Sequence, residues 1–107
     1  PPAEARRHSN GAAAIWCRPR DGGGLALLVA TAPRGAPHLI DAVLPPSTEL
    51  QREQAARRDR VVIVSRVRHT DGSVWHQVQW PSAAQIILIR YRGTLGELLK
   101  IAGSVND

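Results

Sequence analysis

A chain of 107 residues has room for one domain and excludes a two-lobed enzyme with its cleft between domains. At 43% hydrophobic residues it has the apolar content of a globular fold, so its formal charge of +5 describes a folded basic protein and not a disordered basic tail. Its longest apolar runs, residues 25–30 and 86–89, fall far short of the roughly 20 residues that a membrane-crossing helix needs, so no membrane span is expected.

In chain order, residues 1–10 carry Pro1-Pro2, Arg6 and Arg7 without a periodic apolar pattern and read as a flexible basic arm that orders only by docking. One α+β domain is expected over 11–103. Residues 12–17 read as a strand, and the stretch from Arg18 through Gly22-Gly23-Gly24 as a turn, since glycine reaches positive φ cheaply and proline removes a ladder donor. Residues 25–31 then pair back, and residues 38–44 supply a third strand ended by Pro45-Pro46, which makes an antiparallel meander.

Thr48 followed by Gln51 has capping-box spacing and predicts a short helix over 50–58, a cover with a thin apolar side of Leu50, Ala55 and Ala56. Residues 60–68 are a β-branched strand, Thr70-Asp71-Gly72 is a hairpin turn, and residues 73–80 alternate. In that returning strand Val74, His76, Val78 and Trp80 share one face, expected to point inward, and Trp75, Gln77 and Gln79 the other. Residues 83–91 are an apolar run suited to a central strand. A second capping box, Thr94 with Glu97, opens a short helix seated by Leu95, Leu98, Leu99 and Ile101 and stopped by Gly103, after which residues 104–107 fray.

The predicted order is βββαβββα: an α+β fold with a mainly antiparallel sheet, or a small partly closed barrel, and two short helices. The triple glycine and the paired meanders favour closure. The hairpin spanning 60–80 resembles those of small SH3-like and OB barrels in its pattern, though in no diagnostic residue, and that likeness implies no function.

No motif specifies a reaction. His69, Asp71 and His76 form a His-x-Asp-x4-His set across a hairpin, but the first two read as turn residues and the third as a hydrogen-bonded strand residue, so no metal or other cofactor is expected. Cys17, the one cysteine, sits beside Trp16 in an apolar strand and reads as a core residue. It forms no internal disulfide, which makes a reducing cytoplasm the expected setting. The triple glycine lacks a following Lys-Ser or Lys-Thr and precedes a strand, so it is not a phosphate loop. The chain reads as a binding domain before it reads as an enzyme.

Charge is the informative feature, for all but Lys100 of the 14 basic residues are arginine, whose planar fork binds phosphate bidentately. Strand alternation puts Arg66 with Arg68 and Arg90 with Arg92 on shared faces. The expected nucleic-acid-binding set is therefore Arg57, Arg58, Arg60, Arg66, Arg68, Arg90 and Arg92, with Trp75 as a stacking platform. The plainer account is codon usage in a GC-rich genome, the charge any small domain needs, and tryptophans filling a core without Phe or Met. An alternative function is a protein-interaction or assembly module, docking an acidic protein surface or a second copy through an apolar surface on residues 86–89 and 95–101, with arginines at its rim.

Overall fold

A computed structural model of the chain describes residues 3–17, 26–57 and 60–105, with residues 3–7 as backbone only. Period-two alternation produces seven strands: β1 (Ala3–Ser9), β2 (Ala12–Cys17), β3 (Leu27–Pro33), β4 (Ser47–Arg57), β5 (Arg60–His69), β6 (Val74–Pro81) and β7 (Gln85–Tyr91). A 3-10 helix, Pro37–Ala42, lies between β3 and β4, and α1 (Leu95–Gly103) follows β7. The strands form one open antiparallel sheet in the order β1-β2-β3-β7-β6-β5-β4. Two consecutive meanders are thus joined where β7 pairs with β3, Val29 opposite Ile89 and Ala30 opposite Leu88.

Both faces of the sheet are covered. On one, the small side chains of Ala12, Ala14, Ala30 and Ala32, with Leu28 and Leu88, receive Ile40, Val43 and Leu44 from the 3-10 helix and its exit. On the other, Val62, Val64, Val78, Trp80, Ile87 and Ile89 pack under Leu98 of α1. The sheet is therefore the middle of three layers, and β7 is buried on both sides, which is why it reads as a continuous apolar run and not as an alternating one.

Several local expectations reappear in the structure. β2, the β5–β6 hairpin and α1 lie where the pattern puts them, and Thr94 Oγ1 accepts from the Glu97 amide while Glu97 accepts from the Thr94 amide. At the hairpin turn Gly72 takes φ +87° and Asp71 Oδ1 accepts from the Ser73 amide and hydroxyl.

The order βββαβββα does not stand. The strand expected over 38–44 is the 3-10 helix: Ile40, Val43 and Leu44 recur at helical spacing, and Pro37 opens the turn with no amide to satisfy. The helix expected over 50–58 is, through Arg57, strand β4, paired with β5 along its length. Leu50, Ala55 and Ala56 make no helical stripe, while the long β-branched β5 offers a ladder that would otherwise go unpaired. One α-helix is present among the described residues. The sheet ends in β1 and β4 as separate edges, so the partly closed barrel is not formed.

The segment expected as a basic arm docks on the domain itself, as edge strand β1 against β2. Residues 18–25, with the triple glycine, and residues 106–107 lie outside the described residues. Among the described residues no helix is long and apolar enough to cross a membrane.

Candidate nucleic-acid interface

Alternation along β5 puts Arg60, Val62, Val64, Arg66 and Arg68 on the sheet face that carries α1. The helix covers the two valines and leaves an arginine group at each end of the strand. Across the β4–β5 ladder Arg57 stands opposite Arg60, Gln51 opposite Arg66 and Thr48 opposite Arg68, so Arg57 joins the same face. Arg57, Arg66 and Arg68 are exposed, and none makes an ion pair with a described residue. Arg60 places its guanidinium 5.1 Å above the ring of the buried Trp80. Arg58 lies outside the described residues. Arg52 faces the other way and is paired with Glu49 at 3.2 Å.

The remaining members of the expected set are elsewhere. Arg90 points to the opposite face and is 5% exposed. Its Nε donates to Gln77 Oε1 at 2.7 Å, Nη1 to His69 Nε2 at 3.0 Å and to the Pro45 carbonyl at 3.4 Å, and Nη2 to Ser47 Oγ at 3.1 Å. Desolvation pushes its pKa down to about 10, with Asp41 acting in the opposite sense, so it stays charged at neutral pH. Trp75 is buried, stacked on His69 at 4.7 Å between ring centroids, and its indole N–H donates to Ser73 Oγ. No base can stack on it. Arg92 is exposed and lies 5.8 Å from the Trp75 ring centroid, on the Arg90 side of the sheet.

His69 and His76 sit on opposite faces. His76 Nδ1 contacts the Gly93 carbonyl at 3.0 Å, and Asp71 serves the hairpin turn, its carboxyl held below the usual range by the Ser73 hydroxyl and amide. The three do not converge, and among the described residues no group of three His, Cys, Asp or Glu side chains is placed to share a metal ion. Because arginine only donates, the Arg90 contact makes His69 Nε2 an acceptor and puts the ring's proton on Nδ1.

Burial, and then the Arg90 charge, lower the His69 pKa from 6.5. The unfolded chain therefore takes up the proton first, so stability is full above pH 6.5 and falls as the pH drops from there toward the folded-state value. Unfolding free energies from urea titrations between pH 8 and 5 are expected to fall by at most about 1.4 kcal/mol per pH unit from this group. His69→Phe is expected to flatten that slope whatever its own stability; an unchanged slope in the variant contradicts the assignment.

Comparison with family models, with curated proteins and with solved structures finds no match to this chain. Two residues that the sequence did not single out belong to the picture: Lys100, which the helix brings beside Arg57 and Arg60, and Ser47, which closes the Arg90 network. The spacing of Lys100 from Leu98 in a capped helix was the available signal for the first; nothing in the sequence marks Ser47.

Proposed function

We propose that this domain is a non-catalytic module that binds the phosphate backbone of nucleic acid through Arg57, Arg60, Arg66 and Arg68. The observation that carries the reading is their common face on the β4–β5 pair, with the latter two unpaired among the described residues. Eight residues of strand separate Arg60 from Arg68, roughly 26 Å, comparable to most of one turn of duplex at about 34 Å. With Trp75 buried, the mode is charge contact to phosphates without base stacking, which favours affinity over sequence discrimination. A reducing cytoplasm remains the proposed setting, on the strength of the lone cysteine.

Titrating labelled duplex and single-stranded oligonucleotides at 50 and 200 mM salt tests the reading. Four phosphate contacts give a log–log slope of about −3.6 on duplex, so affinity is expected to fall about a hundredfold over that range. Absent binding at 50 mM, or binding indifferent to salt, overturns it. The assembly reading has a separate support, the open edges at β1 and β4. It is the weaker of the two. β4 carries charges and a register shift between Glu49 and Gln51 that discourage strand addition, and the apolar residues of β7 proposed as a docking surface are internal.

A further inference from the structure

The α1 face also holds a groove that the polyanion reading does not require. It opens between the C-terminal half of α1 and the Arg57–Arg60 end of the β4–β5 pair, encloses about 400 Å³, and has Val62, Val78 and Trp80 as its floor. Arg57, Arg60 and Lys100 line it, and no described lining residue is acidic. Glu97, one turn before Lys100, is engaged with Thr94 and the Tyr91 hydroxyl. The helix end beside the groove is answered from within the chain, because the Ser104 amide and hydroxyl bond the Ile101 carbonyl and the Val105 amide bonds that of Ala102. Negative potential from the α1 C-terminus is blunted there.

The half-buried Leu99 and Ala102 beside that floor give a hydrocarbon body apolar surface to cover, and the exposed Arg57 and Lys100 suit an anionic head. Among the described lining residues there is no Asn, Gln, Asp or Glu side chain to read the edge of a base, and the Ser104 hydroxyl is already spent on Ile101. We infer that the groove binds a small amphipathic anion: a carboxylate on an aliphatic body, its head held by Arg57 and Lys100 and its chain laid against Leu99 and Ala102, above the buried Val62, Val78 and Trp80. The volume lies toward the lower end of small-molecule sites, about 300–1,000 Å³, which suits one medium-length chain and not a folded partner.

Calorimetric titration of the full chain with decanoate tests this, with decan-1-ol and adenosine monophosphate as comparison ligands. Decanoate is expected to bind saturably at one equivalent, and at least tenfold more tightly than either the alcohol, which lacks the charge, or the nucleotide, whose body is polar. Lys100→Glu, an exposed change, is expected to weaken decanoate at least tenfold with an unchanged circular dichroism spectrum. The inference is overturned by absent saturation, by equal binding of the alcohol, by tighter binding of the nucleotide, or by indifference to Lys100→Glu. Oligonucleotide binding is scored on the same preparation: decanoate failing while oligonucleotide binds removes the groove's ligand alone, and the converse removes the polyanion reading alone.

Discussion

Arg90→Met is expected to lower the unfolding free energy by about 3–5 kcal/mol, a large share of the stability of a small domain. The guanidinium serves acceptors on three strands and the loop before β4: Gln77 on β6, His69 on β5, Ser47 on β4 and the Pro45 carbonyl. Its removal leaves the buried Gln77 and His69 acceptors without that donor, and each unmet buried group costs about 1–3 kcal/mol. Arg90→Lys keeps the charge but replaces a planar fork by a compact ammonium that cannot span the four acceptors, so an intermediate loss is expected. Adding Gln77→Leu to Arg90→Met removes one orphaned acceptor and is expected to recover part of the loss. Urea unfolding followed by circular dichroism reads all three; a loss below about 1 kcal/mol in Arg90→Met contradicts the network's role.

The second large effect is on binding. Replacing Arg66 and Arg68 by Gln is expected to reduce the salt slope on duplex by about 2, since each phosphate contact contributes about 1, and to weaken binding evenly across sequences. Both side chains are exposed and make no ion pair with a described residue, so stability is expected to stay within about 0.5 kcal/mol of the parent. Loss of binding is then attributable to charge and not to unfolding. A slope that stays put while affinity drops for some sequences only would indicate base contacts in place of phosphate contacts.

Legibility in the sequence followed locality. α1 is a local object, and its capping box, apolar stripe and terminal glycine all act within one helix. The same capping-box spacing at Thr48 misleads because two residues at the right distance do not make a helix when β5 next in the chain offers ten residues of ladder. Asn10-Gly11 is the local signal for β1: Asn10 at φ 51° and Gly11 at φ 91° make the two-residue turn that pairs Ser9 with Ala12, so the segment expected as an arm is a strand. The helical spacing of Ile40, Val43 and Leu44 was likewise present, obscured by the apolarity of the whole stretch.

Alternation gave the parity of the candidate side chains from Arg60 onward, though not of Arg57 and Arg58 in the expected helix, and it did not give what covers each face. Trp75 does lie opposite Val78 and Trp80, as expected; the expectation of an exposed platform failed because its face is occupied by His69 and by the hairpin turn. Arg90 and Arg92 share parity, yet β6 separates their strand from Arg66 and Arg68, and the register sends the two pairs to opposite sides. That depends on strand order, which no local signal contains.

The proposed binding requires arginines acting together from a single side of the sheet. The most direct test compares the duplex salt slope of the fourfold variant Arg57→Gln, Arg60→Gln, Arg66→Gln, Arg68→Gln with that of Arg34→Gln, Arg52→Gln, which removes two arginines engaged elsewhere, with the Ser82 carbonyl and Glu49. A slope near zero in the first and a parental slope in the second is the expected result; parental slopes in both, or a loss of slope in the second alone, would contradict it.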